Sequence, residues 1–374
     1  MATETPPEPD RVEGAPHPRE TPELIGQDSA QAAFLEAFNA GRMHHGWLIT
    51  GPRGVGKATL AWRIALFLLA TPAAEEGGLF GDAPPSPETL EISADHPVAR
   101  RLLAGSDPGL FHITRSVNEK TGRMRDMIVA DDVRRLNQFL QLSAADGGRR
   151  VVILDCADEM NVQAANALLK MLEEPPARTT LLLVSHQPTR LLPTIRSRCR
   201  ELRLSPLAAG DMAQALRQAG IDVPEDSGAL AELSGGSVGE AVRLINLDGL
   251  KIYAELVAIL GTLPRLDRAR ALKLAEAAAV RGAEDRFDLL IGLTDLLLSR
   301  MARSGAVGAA PAVQAAPGEA DMLARLSPDP AKARAWAECA AEIGARARHG
   351  RAVNLDPAAL VLDTVFRIQQ TAAG

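Results

Sequence analysis

A glycine-rich loop constrains the fold of this chain more than any other feature. Residues 51–59 read GPRGVGKAT, between an apolar run at 47–50 and a stretch rich in Ala and Leu. This strand-loop-helix context is typical of a phosphate-binding loop, in which glycines let backbone N–H groups surround the phosphates and a lysine, here Lys57, reaches the outer ones. A second apolar run ends in Asp155, where an acid that faces nucleotide-bound Mg²⁺ is expected.

These two segments predict an α/β P-loop NTPase fold with a parallel sheet. From about residue 23 to 204, apolar runs alternate with helical patterns, which indicates strands joined by helical crossovers. The predicted strands are 46–50, 110–114, 150–154, 180–185 and 200–204. The predicted helices between them include 28–41, 57–70, 131–143 and 163–173.

The composition changes along the chain and suggests its domain organisation. Residues 1–20 are rich in Pro and Glu, with little to bury, and predict a disordered tail. The α/β domain is expected at 21–206, followed by a small helical lid at 207–262 and an all-α collar, an oligomerisation domain, at 263–374. An Ala/Gly/Pro-rich stretch at 305–318 suggests a flexible loop inside the last domain.

Charge and cysteine content limit the function classes. The net charge of -6 argues against a protein that grips nucleic acid over its whole surface. The three cysteines are far apart, so neither a disulfide framework nor a four-cysteine zinc site is expected. The N-terminal residues do not resemble a secretory signal, and no segment approaches the roughly 20 apolar residues of a membrane helix. A cytoplasmic protein without membrane contact is the expectation.

The phosphate-binding loop departs from its usual pattern. The residue after the lysine normally supplies a hydroxyl ligand to Mg²⁺, but here it is Ala58, and Thr59 is rotated by roughly 100° on a helix. Binding of ATP and Mg²⁺ is therefore an open possibility, and no metal site of the protein's own is predicted. The candidate nucleotide-binding residues are Gly51, Gly54, Gly56, Lys57, Ala58, Thr59, Asp155 and Ser185.

Two further motifs are more specific. Residues 166–176 read NALLKMLEEPP, and residues 194–199 read TIRSRC. This combination resembles the clamp-loader branch of the AAA+ ATPases, in which a helix with this sequence precedes a Ser-Arg-Cys motif. The resemblance is good over about 23–205 and rests on weak motifs beyond.

Within that branch the chain resembles a subunit that has lost hydrolytic groups, not a motor subunit. The motor subunits carry a zinc-binding cysteine cluster between the two nucleotide motifs, whereas residues 60–150 contain no Cys. They also carry Glu where this chain has Cys156, and Arg in the lid where it has Gly239. The resemblance thus implies a weak or inactive ATPase.

Arg198, in the Ser-Arg-Cys motif, is the predicted catalytic residue. The resemblance implies a finger that stabilises the charge on a neighbouring subunit's γ-phosphate, for which a planar, always charged guanidinium is suited. The alternative is a solvated cluster of Arg196, Arg198 and Arg200. Ser185 matches a position near the γ-phosphate in the family, or is an ordinary serine at a strand end.

The function implied is assembly, with other clamp-loader subunits, into a ring of five that opens a sliding clamp and places it on primer-template DNA. One alternative is an active AAA+ ATPase, either a motor clamp-loader subunit or a branch-migration helicase, because Lys57 and Asp155 are intact. Another is a small-molecule P-loop kinase, which would not explain the NALLK helix or the Ser-Arg-Cys motif.

Overall fold

The computed structural model describes residues 11–71, 86–118, 120–141, 148–280 and 284–374. The chain divides into two compact units. The first contains Met1–Ile221 and Ser237–Gly239, and the second contains Asp222–Gly236 and Glu240–Gly374. The predicted boundary between a lid at 207–262 and a collar at 263–374 stays a prediction.

The first unit is built on a five-stranded parallel sheet with the order β2-β3-β4-β1-β5. Because β1 lies between β4 and β5, the residue that follows β1 lies within the row of carboxyl-terminal strand ends. It does not follow an outer strand of the sheet. Thr50 at the end of β1 is paired with Ser185 at the end of β4. The strands are β1 (Gly46–Thr50), β2 (Leu110–Ile113), β3 (Arg150–Asp155), β4 (Thr179–Ser185) and β5 (Arg200–Arg203).

Helices connect these strands, as parallel pairing requires. Apolar side chains of the sheet and of α4 and α5, among them Leu136, Leu168 and Leu181, form a fully buried core. The α/β fold class and its parallel sheet are confirmed, with element ends within a few residues of the predictions; the end of the predicted helix 131–143 lies outside the described residues. The helices are α1 (Asp28–Asn39), α2 (Lys57–Ala70), α3 (Pro97–Leu103), α4 (Ala130–Gln141), α5 (Val162–Glu173), α6 (Pro193–Arg196) and α7 (Ala209–Gln218).

The N-terminal segment differs from the expected disordered tail. Residues 1–10 lie outside the described residues, but Pro18–Glu20 forms a short 3-10 helix. His17 caps this turn, is 1% exposed and packs edge-on against Trp62 of α2 at 5.8 Å between ring centroids. Ordered structure thus begins before residue 20, because one buried aromatic contact anchors a segment of otherwise polar composition.

The second unit is entirely helical within its described residues. Its helices are α8 (Ser227–Leu233), α9 (Val238–Asn246, whose first two residues belong to the first unit), α10 (Gly249–Gly261), α11 (Arg268–Ala278), α12 (Glu284–Val307), α13 (Glu319–Leu326), α14 (Pro330–Ala352) and α15 (Pro357–Ala373). No helix of the described ranges is long and apolar enough to cross a membrane.

The stretch at 305–318 is held in place, in contrast to the flexible loop expected from its composition. Helix α12 continues to Val307, and Ala315 and Ala316 are buried. The Arg300 guanidinium donates to the Val313 carbonyl at 2.8 Å, and the Glu319 carboxylate accepts from the Ala315 amide at 2.6 Å. Arg300 and Glu319, which form a buried ion pair at 2.7 Å, therefore hold this segment in place, although its composition gives no indication of how it packs.

Candidate functional site

The phosphate-binding loop joins β1 to α2 and closes on the turn at Ser237–Gly239. Gly54 has a φ of +71°, and a Cβ at this position would collide with the Ser237 hydroxyl. The Gly54 carbonyl accepts from the amides of Val238 at 2.9 Å and Gly239 at 3.4 Å. Residue 239, where motor subunits carry an arginine, thus lies backbone to backbone against the loop.

Lys57 is the first residue of α2 and only 3% exposed. Its ammonium group donates to the Pro52 carbonyl of the same loop. Burial lowers the Lys57 pKa to about 8, against the opposing effect of the nearby Asp155 and Asp158 carboxylates. An anion such as a phosphate would compensate the buried charge, so the site favours an anionic ligand.

The acid that ends β3 is engaged by the residue that follows it. The Cys156 thiol donates to the Asp155 carboxylate at 3.1 Å, and its sulfur lies 2.9 Å from His186 Nε2. Burial and then Asp155 raise the thiol's pKa above its ordinary range, so Cys156 is uncharged where motor subunits carry a carboxylate. It cannot act as the base or water-orienting acid of ATP hydrolysis.

His186 is a part of this site that sequence reasoning missed. Its amide donates to the Asp158 carboxylate at 2.9 Å. Burial, followed by the positive charges of Lys57 and Arg53, lowers its pKa to about 4, which keeps the imidazole neutral at pH 7. The only sequence signal for His186 is its position directly after Ser185 at the end of a predicted strand.

The remaining candidates lie beside the phosphate loop or in the core. Ser185 is fully buried, and its hydroxyl has no hydrogen-bond partner within the described residues, which leaves a donor beside the loop for a ligand oxygen. Ala58 is half-buried and Thr59 is 8% exposed. The residues present therefore fit phosphate groups, while the usual hydroxyl ligand for Mg²⁺ is missing.

Glu159, just past β3, connects the phosphate loop to a neighbouring segment. One carboxylate oxygen lies 3.0 Å from the Arg53 guanidinium and the other 2.9 Å from Arg115 Nε. The Arg53 side chain is 73% exposed, so this ion pair connects the solvent-facing side of the loop to Glu159 and leaves Arg53 in contact with solvent. The three residues are far apart in sequence, and no motif indicated their contact.

Arg198 lies at the opposite end of the sheet from the phosphate loop. It precedes β5, which runs parallel to β1 with Trp47 paired with Arg200. A Cβ on Gly46 at the start of β1 would lie 3.1 Å from the Arg198 carbonyl. The loop starts at Gly51, five residues further along, and five strand residues span about 16 Å.

The residues around Arg198 have different environments. Burial raises the pKa of Cys199 to about 12, and its side chain packs against the core. Arg200 lies over the Trp47 ring at 5.3 Å, whereas Arg196 is exposed. Arg198 is held by Glu173 at 2.9 Å and donates to the Thr194 carbonyl at 3.1 Å.

No group of three or more His, Cys, Asp or Glu side chains within the described ranges is arranged to hold a metal ion. The association of Asp155, at the end of β3, with Mg²⁺ of a bound nucleotide stays a prediction from the sequence. A Mg²⁺ ion bound with a nucleotide would be held mostly by the phosphate oxygens and only to a small extent by protein side chains.

Comparison with known proteins concerns mainly the first unit. Residues 26–208 match the family model described as DNA polymerase III, delta subunit. The chain is 38% identical over 215 residues to DNA polymerase III subunit delta' of Pseudomonas aeruginosa, covering 57% of this chain and 60% of that protein. It is 30% identical over 216 residues to subunit delta' of Escherichia coli, covering 58% of each chain.

More distant relatives share less. The chain is 29% identical over 286 residues to subunit tau of Salmonella typhimurium, covering 73% of this chain and 40% of that one. A solved DNA polymerase III gamma subunit-related protein of Thermotoga maritima is 18% identical with a TM-score of 0.33, covering 91% of this chain and 99% of that one, too low a score for further inference. The matches span less than two thirds of the delta' relatives. Residues 26–208 of this chain are thus similar to a delta-type family of DNA polymerase III subunits and to the delta' subunits of two bacteria.

Proposed function

We propose that this chain acts as the delta' subunit of a bacterial clamp loader, a component of the DNA polymerase III holoenzyme. It would assemble with delta and gamma/tau-type subunits into a hetero-pentameric ring that loads the sliding clamp onto primer-template DNA in an ATP-dependent reaction. Its own part in that reaction would be to donate Arg198 to the ATP site of an adjacent subunit.

The observation that carries this proposal is the separation of Arg198 from the chain's own phosphate loop. The two lie at opposite ends of β1, about 16 Å apart along the strand. An arginine side chain spans less than half of that distance, so Arg198 cannot reach a nucleotide held by its own loop. A role in nucleotide chemistry is therefore a role toward another subunit.

The chemistry suits a guanidinium. During phosphoryl transfer, charge spreads over the γ-phosphate oxygens, and a planar fork of N–H donors can stabilise it. Fingers of this kind raise the rate by about 10³–10⁵ at the site they serve, which corresponds to roughly 4–7 kcal/mol of transition-state stabilisation.

The chain's own pocket would be a binding site more than a catalytic one. Lys57 and the loop amides would hold the phosphates, and Ser185 would donate to an outer phosphate oxygen. A bound nucleotide with Mg²⁺ would supply the anion that neutralises Lys57. Because Cys156 and Ala58 replace a carboxylate and a hydroxyl, the pocket lacks the groups that activate water and fix the metal.

The test is ATP hydrolysis by a reconstituted complex that carries Arg198→Ala. We expect the variant to assemble and its clamp- and DNA-stimulated turnover to fall substantially but incompletely, because the other sites keep their own fingers. Arg196→Ala, two residues away and exposed, is the matched control and should hydrolyse ATP at the wild-type rate. Wild-type turnover by the Arg198→Ala complex would contradict the proposal.

A second candidate is an active AAA+ ATPase, favoured by the buried Lys57 and by Asp155 at the end of β3. The isolated chain distinguishes the two. We expect negligible ATP turnover, whereas a rate of about 1 s⁻¹ or more would indicate a motor enzyme.

A further inference from the structure

We infer that Glu173, the last residue of α5, is a positioning residue that orients the Arg198 guanidinium for its action on a neighbouring subunit. This inference rests on the proposed function of Arg198 and adds a residue to it. Glu173 belongs to the LEEPP segment, whose first glutamate has no other function in the site described above.

Two contacts on different nitrogens fix the guanidinium. Nη2 of Arg198 lies 2.9 Å from Oε1 of Glu173, and Nη1 donates to the Thr194 carbonyl at 3.1 Å. Two anchored terminal nitrogens define the plane of the group. Of the five N–H donors of an arginine, about three remain for a ligand. The hold therefore restricts orientation without using up the fork.

The backbones that carry the two side chains are fixed to one point of the sheet. Gly46, at the start of β1, has no side chain between them. A Cβ there would lie 2.9 Å from a Leu172 methyl group and 3.1 Å from the Arg198 carbonyl. His45 Nε2 lies 2.9 Å from the Leu172 carbonyl, at the end of α5. The end of α5 and the Ser-Arg-Cys motif thus both pack against the start of β1, which fixes their backbones relative to each other.

Fold stability does not account for this ion pair. The Glu173 side chain is 49% exposed and that of Arg198 is 37% exposed, and pairs of this kind contribute between zero and about 1 kcal/mol. Solvent screens the contact in the free chain. When a neighbouring subunit covers it, the same pair interacts more strongly because the local dielectric constant falls. Its effect is expected in the assembled state.

The loss of Glu173 should free the guanidinium to sample other rotamers. Fixing one long side chain at an interface costs a free energy that corresponds to a change of about three- to tenfold in rate. We therefore expect Glu173→Gln to lower the Arg198-dependent part of ATP turnover, defined as the wild-type rate minus the Arg198→Ala rate, by about three- to tenfold. The KM for ATP should not change, since Arg198 acts on the transition state.

The experiment uses the reconstituted complex with wild-type chain and four variants. These are Glu173→Gln, Arg198→Ala, the double variant, and Glu174→Gln as matched control. Glu174 is adjacent, exposed and without a side-chain partner among the described residues, so its variant should hydrolyse ATP at the wild-type rate. The double variant should be no slower than Arg198→Ala, because Glu173 is expected to act only through the arginine.

The outcomes separate the two proposals. If Arg198→Ala is impaired and Glu173→Gln is not, the positioning inference is overturned and the finger remains. If Arg198→Ala turns over ATP at the wild-type rate, the finger itself is overturned. A double variant slower than Arg198→Ala would show that Glu173 has a general structural effect and would overturn the inference as well. Glu173→Asp keeps the charge with one methylene less, and we expect a rate between those of Glu173→Gln and the wild type.

Discussion

The buried ion pair of Arg300 and Glu319 offers a test of what holds the second unit together. Arg300 is 7% exposed and Glu319 fully buried. Arg300 Nε lies 2.7 Å from a carboxylate oxygen of Glu319, which also accepts from the Tyr253 hydroxyl at 2.6 Å. The other oxygen accepts from the Ala315 amide at 2.6 Å. We predict that Arg300→Met is strongly destabilising.

The magnitude follows from what the variant leaves behind. Methionine fills much of the volume of Arg300 but leaves the Glu319 carboxylate buried with two neutral donors and no cation. Breaking one side of a buried pair costs about 3–5 kcal/mol. Adding Glu319→Gln should recover at least half of that loss. The amide oxygen can still accept from the Ala315 amide, the new NH2 group can donate to the Tyr253 hydroxyl oxygen, and no buried charge remains.

Urea unfolding with hydrogen exchange resolved to peptides of 300–326 would measure the loss in the right unit. Arg346→Met is the matched control in the same unit, because Arg346 pairs with Asp363 at 2.7 Å with side chains 48% and 36% exposed. It should cost less than about 1 kcal/mol. If Arg300→Met is no more destabilising than this control, the buried pair does not hold the 305–318 segment and our reasoning is refuted.

Two further predictions concern the phosphate loop. Gly54→Ala should displace the loop, since the φ of Gly54 is +71° and the new methyl group would collide with Ser237. We expect faster hydrogen exchange at the Val238 amide and weaker binding of a fluorescent ADP. Unchanged hydrogen exchange would contradict the prediction. The folded-state pKa of Lys57 is about 8, below its ordinary 10.5, so the folded chain binds fewer protons between these values. The contribution of Lys57 to stability should therefore rise from pH 8 to pH 10.5, and urea unfolding should show a pH dependence over that range that Lys57→Met lacks.

The sheet was predictable from sequence because each strand carries its own signal. The run at 151–154 is apolar and buried, and Lys57 begins α2 as the loop pattern predicts. The geometry of Arg198 was not predictable in this way. That Arg198 lies about 16 Å from its own loop follows only from the parallel pairing of β5 with β1, which joins residues about 150 positions apart.

The residues that sequence reasoning missed have partners distant in the chain. Glu173 contacts Arg198, although β4 and α6 separate the two residues in the chain. His186 contacts Cys156, although α5 and β4 separate them. Neither contact leaves a periodic pattern. The disordered tail and the flexible loop at 305–318 were both predicted from composition. Composition averages over a segment and does not show the contacts that single residues make. His17 in the tail and Glu319 beside the loop each make buried contacts that hold such a segment in place.

Two of the polar groups beside the chain's own phosphate loop have partners within the chain itself. Lys57 donates to the Pro52 carbonyl, and the Cys156 thiol donates to Asp155. A lysine and an aspartate can therefore be kept in such a pocket by local packing and hydrogen bonding, without a requirement for hydrolysis. Arg198 is different: it is 37% exposed, and the contacts of its guanidinium contribute little to stability. Folding alone does not account for an arginine held at this edge, and we therefore keep the proposal that Arg198 acts toward a neighbouring subunit.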